Sequence, residues 1–202
     1  MKDTNKMTIE AYEAGIDQYI QNTPNKRGAV VEDWIDKSIA GLPLDAKILE
    51  VGSAYGRDAK IIEEKGYRVE KTDATQGFVS ILQQDDPTAH HLNILTDPIE
   101  TGYNLIIANA VLLHFTVEET KSVAHKILQA LTENGTFAFT VKVGKGEAWQ
   151  DNKGMGRRYF KYWSKEDIVS LLSDVGYTNI NAWVDSSDGT GVSWIMIIAK
   201  KV

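Results

Sequence analysis

A chain of 202 residues, 43% of them apolar and 25% charged, is long enough for one domain with a full core and too apolar to stay disordered. Its formal net charge of −6 disfavours wholesale neutralisation of a nucleic-acid backbone, and the absence of cysteine excludes disulfides, thiolate metal sites and cysteine nucleophiles. The opening MKDTNKMTIEAYEAG has no apolar stretch of signal-peptide length, and no run nears the roughly 18 apolar residues of a membrane span, so a cytoplasmic protein is expected.

In chain order, Ile9, Tyr12, Ile16 and Tyr19 fall on one helical face, and Val30, Val31, Trp34, Ile35 and Ile39 on another. Residues 1–43 are therefore predicted to be a helical lid, with Lys26 and Arg27 solvated within it. After GLPLD the pattern changes. Strand-length apolar runs at Lys47–Val51, Tyr67–Thr72, His90–Ile94, Leu105–Asn109 and Thr136–Val143 alternate with helical spacing over Asp58–Lys65, Thr75–Gln84 and Val117–Leu131. That alternation predicts an α/β fold with a parallel sheet covered on both faces. A helix over Ser164–Val175 then precedes YTNINAWVD and VSWIMIIAKK, joined by the turn-rich SSDGTG. Two strands across so short a connection must run antiparallel. No repeat or linker divides the chain, so one domain is expected over residues 1–202, with its core from 44 onward.

The segment KILEVGSAYGRDA, from Lys47 to Ala59, joins a buried strand to a helix through a turn containing Gly52 and Gly56. Such a turn lets a ligand approach the backbone closely, and in doubly wound sheets nucleotides sit in this crevice. Asp73 ends the second strand, 21 residues after Gly52, where an acid accepts hydrogen bonds from ribose hydroxyls. A nicotinamide dinucleotide calls for G-x-G-x-x-G, but Ala54 and Arg57 stand where its second and third glycines belong. Asp58, in the next helix's first turn, suits the positive end of the helix dipole. Arg57 is positioned to reach a ligand carboxylate.

With these residues in view, the chain resembles the class I S-adenosylmethionine-dependent methyltransferases over roughly residues 45–200. EVGSAYG is similar to their first motif, acid-x-Gly-x-Gly-x-Gly, with Ala54 at the middle glycine. TDATQGFV resembles the ribose-binding segment, HHLNIL the segment that meets adenine, with Asn93 for the usual Asp, and GYNLIIANAVLLHF the fourth-strand motif, with Asn104 for Asp. LTENGTFAFTV is like the turn before the fifth strand. The resemblance implies a three-layer Rossmann-like methyltransferase fold, with a seven-stranded, mostly parallel sheet whose last strand is antiparallel. It also implies S-adenosyl-L-methionine as cofactor, held by Glu50, Gly52, Ser53, Ala54, Gly56, Arg57, Asp73, Ala74, Asn93, Ile94 and Asn109.

Methyl transfer from a sulfonium needs in-line positioning and exclusion of water more than heavy acid–base machinery. Tyr12 and Tyr19, one helical face apart, suit a lid over cofactor and substrate or, alternatively, simple core packing. His114 in VLLHF follows the fourth strand, where a histidine of ordinary pKa takes a proton from an acceptor or positions it. His90, His91 and His125 have no ligand spacing, so no metal is expected. The segment from Lys142 to Lys165 carries seven Lys or Arg against two acids, interleaved with Trp149, Tyr159, Phe160, Tyr162 and Trp163. It is predicted to be an irregular flap, and it resembles a bacterial subgroup of small-molecule methyltransferases with a Lys-x-Gly-x-Gly-Glu loop after the fifth strand. An anionic or aromatic small substrate is the expected partner, with Tyr12, Tyr19, Arg157, Arg158 and Tyr162 as its contacts. RNA methylation and a non-catalytic cofactor-binding role are the alternatives. The absence of Asn-Pro-Pro-Tyr after the fourth strand disfavours base-amine and glutamine methylation of the family's known kind; oxygen or nitrogen of a metabolite is the expected acceptor, with sulfur or a metalloid oxyanion still open.

Overall fold

A computed structural model describes residues 3–23, 28–151, 154–186 and 191–202. Helices α1 (Thr4–Ala14), α2 (Ile16–Gln21) and α3 (Ala29–Ile39) lead into strand β1 (Ile48–Val51). There follow α4 (Arg57–Glu64), β2 (Val69–Asp73), α5 (Gln76–Leu82), β3 (His90–His91) and β4 (Tyr103–Ala108). A 3₁₀ turn at Leu112–His114 precedes α6 (Val117–Ala130), β5 (Leu131–Lys142), β6 (Glu147–Gln150) and β7 (Arg158–Lys161). The last elements are α7 (Lys165–Val175), β8 (Thr178–Asp185) and β9 (Trp194–Lys200).

Seven strands form one sheet in the order β3-β2-β1-β4-β5-β9-β8, parallel except that β9 runs antiparallel to both β5 and β8. Strand side chains alternate between the two faces with period 2. Ile106 and Ala108 of β4 and Ile195, Ile197 and Ala199 of β9 pack with α6 and α7. Leu105, Ile107, Met196 and Ile198 pack on the opposite face with α3 and α4. Both faces are covered, which is why the strands read as continuous apolar runs rather than as alternating ones. Asn104 secures the start of β4, its side-chain oxygen accepting from the Lys47 amide at 2.9 Å.

Local chemistry sets the helix boundaries. Thr116 and Glu119 form a reciprocal capping box on α6, and Ser164 caps α7, which ends at Gly176 in the left-handed region with φ +112°.

Two expectations change here. The lid narrows to α1 and α2, because α3 belongs to the core: Trp34 is fully buried and its indole N–H donates to the Ile197 carbonyl at 3.2 Å. The flap is not irregular, since β6 and β7 pair as an antiparallel hairpin from Glu147↔Lys161 to Gln150↔Arg158. Alternating aromatic and long side chains at Trp149, Tyr159 and Phe160 suit such a ladder. Lys26, Arg27 and residues 187–190 of the last turn lie outside the described residues.

Candidate active site

The carboxyl ends of β1, β2, β4 and β5 open onto one cleft of about 300 Å³, at the point where strand order reverses between β1 and β4. Open α/β sheets bind ligands at such a switch point. The turn after β1 holds three left-handed residues, Gly52 (φ +73°), Ala54 (φ +50°) and Gly56 (φ +83°). A Cβ on Gly52 would lie 2.5 Å from Val111 Cγ2, so only glycine admits the loop after β4 at this distance. Ala54 adopts the conformation that glycine would favour, so its substitution in the motif leaves the turn intact. The turn is stitched to β2: the Ser53 amide donates to the Thr72 carbonyl at 2.8 Å, and Ser53 Oγ accepts from the Thr72 amide at 3.2 Å.

Asp73 is buried at the cleft mouth. Its Oδ2 accepts from the Ala54 amide at 2.9 Å and its Oδ1 from the Thr75 amide at 2.8 Å. These bonds, with a further one from the Thr75 side chain, aim the carboxylate, which borders the cleft. Burial raises its pKa, and the two backbone donors oppose that rise.

Gly52, Ala54, Arg57, Asp73, Ala74, Asn93, Ile94 and Asn109 all border the cleft. Arg57 lies over the Tyr55 ring at 4.8 Å. The Asn93 side-chain amide donates to Asn5 Oδ1 of α1 at 2.7 Å, tying the third strand's end to the lid. Lys126 fixes the following loop by donating to the carbonyls of Ile94, Leu95 and Asp97 at 2.7, 3.1 and 2.8 Å. Asn109 donates to buried Asp58 at 2.8 Å and accepts from the Thr140 hydroxyl at 2.6 Å, so its amide holds the end of β4. Glu50, Ser53 and Gly56 do not border the cleft, contrary to expectation. Glu50 and Ser53 are buried behind the turn, and Gly56 opens α4 with Leu82 packed 3.1 Å from where its Cβ would lie.

The other half of the cleft is aromatic and cationic. Tyr12 and Tyr19 both line it, edge to face at 5.8 Å, rather than packing in the core. His114 is buried in the 3₁₀ turn, with Nδ1 2.7 Å from the Tyr159 carbonyl and Nε2 2.9 Å from the Tyr12 hydroxyl. A carbonyl only accepts, so Nδ1 carries the proton and Nε2 accepts the hydroxyl of Tyr12. Arg158 Nη1 donates to that same hydroxyl oxygen at 3.0 Å. Burial pushes the Tyr12 pKa up to about 12 and that of His114 down to about 3, so both are neutral. A histidine titrating near neutrality, as expected from sequence, is thereby corrected.

Arg158 is buried at 4% exposure, with its guanidinium 4.9 Å from the Tyr12 ring centre and 5.3 Å from that of Phe160. Lys142, which sequence reasoning missed, ends β5 with Nζ 4.3 Å from the Phe160 centroid. Its position at a parallel strand's carboxyl end was the available signal. Asn5 and Thr8 were missed too, although they share the helical face of Ile9 and Tyr12. Thr8 Oγ1 accepts from the Tyr159 amide at 3.2 Å, docking α1 on the hairpin. Arg157 and Tyr162 are not in the cleft: Arg157 is exposed, and Tyr162 lines a separate groove beyond the hairpin stem. Alternation sets Arg157 on the face opposite Arg158 and Phe160, whereas Tyr162 lies past the end of β7, its amide donating to the Gly146 carbonyl, where the strand alternation no longer applies.

A glycine turn, a buried acid at the second strand's end and an antiparallel penultimate position in a seven-stranded sheet define the Rossmann-like class of S-adenosylmethionine-dependent methyltransferases. The chain belongs to the methyltransferase-domain family, whose description, "Methyltransferase domain", matches residues 24–182. Among solved structures it is similar to Burkholderia thailandensis 1,6-didemethyltoxoflavin-N1-methyltransferase, at 16% identity and a TM-score of 0.77 over 100% of this chain and 92% of that one. It is also similar to Synechocystis PCC 6803 magnesium protoporphyrin IX methyltransferase, at 14% identity and a TM-score of 0.74 over 100% and 99%. Haemonchus contortus phosphoethanolamine N-methyltransferase 2 aligns at 12% identity and a TM-score of 0.76, over 100% of this chain but 61% of the other. No curated protein matches the sequence. No helix among the described residues is long and apolar enough to cross a membrane.

Proposed function

We propose that this protein transfers the methyl group of S-adenosylmethionine to an oxygen or nitrogen of a small, anionic, aromatic metabolite. One observation carries the acceptor class: Lys142 and Arg158 both lie against Phe160 in the cleft, whose only carboxylate among the described lining residues is Asp73 at the opposite end. An acceptor with a flat ring and an acidic group fits these cations and the walls formed by Tyr19 and Trp194.

The residues at the other end fit the cofactor. Gly52, in the left-handed region, brings bare backbone to the cleft edge, and Asp73 presents its buried carboxylate there to the ribose hydroxyls. When bound, S-adenosylmethionine supplies an electrophilic methyl group on a sulfonium whose leaving group is a neutral thioether. The lid formed by α1 and α2 excludes water and fixes the approach of the acceptor. The Tyr12 hydroxyl, its proton donated to neutral His114 Nε2 and its oxygen accepting from Arg158, is a fixed polar group that orients the acceptor. Arg158 holds Tyr12 in that orientation through its hydroxyl and its ring. As the new bond forms the acceptor grows more acidic and its proton leaves to solvent with the product, since burial keeps both Tyr12 and His114 neutral.

The test is incubation of the protein with a fractionated metabolite pool and labelled S-adenosylmethionine, read by mass spectrometry. A labelled product with an acidic group is expected, with its KM raised about tenfold in Lys142→Met while S-adenosylhomocysteine affinity holds. Label appearing only in an RNA fraction would overturn the small-molecule reading, and cofactor binding without any labelled product would leave a non-catalytic role.

A further inference from the structure

One residue at the edge of the cleft has a backbone that its side chain resists. Ala110, just past the end of β4, has φ +58°, in the left-handed region that residues other than glycine rarely adopt. Such a conformation persists only where its surroundings fix it, and it concentrates where function needs the geometry. The β4–β5 register ends at the pair Ala108↔Phe139, and Asn109 and Ala110 lie beyond it.

A directed chain of hydrogen bonds fixes this turn from behind. The Ala110 amide donates to Thr140 Oγ1 at 2.9 Å, the Thr140 hydroxyl donates to Asn109 Oδ1 at 2.6 Å, and Asn109 Nδ2 donates to Asp58 Oδ2 at 2.8 Å. A carboxylate only accepts, which orients the Asn109 amide. The amide oxygen also only accepts, which orients the hydroxyl and turns its lone pair to the Ala110 amide. Bonds so aligned polarise one another. Thr140 is 1% exposed in β5 and Asp58 is 3% exposed in the first turn of α4, and neither lines the cleft.

What the chain fixes reaches both halves of the cleft. Val111 follows Ala110 and packs so near Gly52 that a Cβ there would lie 2.5 Å from its Cγ2. The Val111 carbonyl accepts from the His114 amide at 3.0 Å, and His114 Nε2 meets the Tyr12 hydroxyl at 2.9 Å. The turn at Ala110 therefore sets Val111 against the glycine turn and sets the start of the 3₁₀ turn that carries His114.

We propose that Thr140 is a positioning residue of the cleft. Its hydroxyl, through Asn109 and Ala110, holds the left-handed turn that places Val111 and His114, so cofactor affinity depends on a side chain that does not line the cleft. The inference rests on the cleft being the cofactor site. Without the hydroxyl, the Ala110 amide and Asn109 Oδ1 lose their partner together, and the extended backbone that alanine prefers draws Val111 away from Gly52.

Two substitutions at one buried position separate this role from a loss of stability. Thr140→Val keeps the shape and removes the hydroxyl, whereas Thr140→Ser keeps the hydroxyl and removes a methyl group, and urea midpoints report how far each lowers stability. Calorimetry with S-adenosylhomocysteine should give a Kd about tenfold above the parent in Thr140→Val and within about twofold of it in Thr140→Ser. In protein carrying ¹⁵N-labelled histidine, the ring N–H resonance of His114 is assigned by its loss in His114→Asn. It should move in Thr140→Val and keep its parent position in Thr140→Ser. If Thr140→Val does not fold, Asp58→Ala, which cuts the chain at its other end, should give the same rise and the same movement. A Kd in Thr140→Val equal to that of the parent, or losses in the two variants that simply follow their urea midpoints, would overturn the proposal. Absence of binding by the parent would instead overturn the cofactor assignment, and an unmoved His114 resonance would then overturn the role of Thr140 as well.

Discussion

At the scale of single residues, the cleft works through side chains whose burial decides their charge. Asp73 is held by the amides of Ala54 and Thr75, and loss of its carboxylate removes the acceptors for a ribose. Asp73→Ala is expected to weaken S-adenosylhomocysteine binding by about 1.5–3 kcal/mol, roughly 10- to 100-fold, in calorimetry. Unchanged affinity would take Asp73 out of the site. His114 makes a different prediction. Its pKa falls from 6.5 to about 3 in the folded protein because burial disfavours the cation. Between those values the unfolded chain binds the extra proton, so stability is full above about pH 6.5, declines as pH falls, and levels off below about 3. Each unit is worth about 1.4 kcal/mol, so the loss reaches several kcal/mol. Urea midpoints measured across this range should slope less in His114→Asn than in the parent. Equal slopes would mean that the histidine keeps its charge when folded.

At the scale of elements, α1 and α2 dock on the cleft through polar contacts and close fits as well as through Tyr12 and Tyr19. Asn5 meets Asn93, Thr8 meets Tyr159, and Glu13 accepts from the Gly77 amide at the start of α5. Gly15, at the break between the two helices, sits against Met155: a Cβ there would lie 2.5 Å from Met155 Cβ and 3.0 Å from its Cα. Met155 cannot retreat without moving the loop that joins β6 to β7. Overfilling a packed contact costs about 1–3 kcal/mol, and the lid is the part that yields. Gly15→Ala should therefore speed limited proteolysis within residues 4–21 about tenfold, while the main urea transition shifts little. A variant as resistant as the parent would show that Met155 does not hold the lid.

At the scale of the whole molecule, a ligand that binds the assembled cleft and not the unfolded chain raises stability by mass action. S-adenosylhomocysteine at 100 times its Kd adds about 2.7 kcal/mol. For a chain of this size that corresponds to a Tm rise of about 5–10 °C, and NAD at the same concentration should leave Tm within about 1 °C. A rise with NAD, or none with S-adenosylhomocysteine, would contradict the cofactor assignment.

How much of this was legible in advance depends on whether the deciding forces are local. Strand and helix identity, the glycine turn and Asp73 were readable because period-2 and period-3.6 burial, left-handed backbone and strand-end acids leave their mark within a few adjacent residues. The antiparallel pairing of β8 with β9 followed from a connection too short for a crossover. Tertiary structure alone decided which of the expected residues meet. Arg157 and Arg158 are neighbours in sequence, yet only Arg158 enters the cleft, because hairpin pairing fixes which face each residue takes. His114 became a neutral acceptor rather than a titrating base because the carbonyl of Tyr159 and the hydroxyl of Tyr12, 45 and 102 residues away, close around it and exclude water. Glu50, though part of the glycine motif, is buried in β1 and does not line the cleft. The sequence by itself determined the elements of the main sheet and the glycine turn, since these rest on short-range backbone preference, and the resemblance of its motifs to a known family implied the class of chemistry. Protonation, the partners of each cation and the split of the basic segment into two faces required chain segments far apart in sequence to pack, since desolvation and charge pairing act only across that contact.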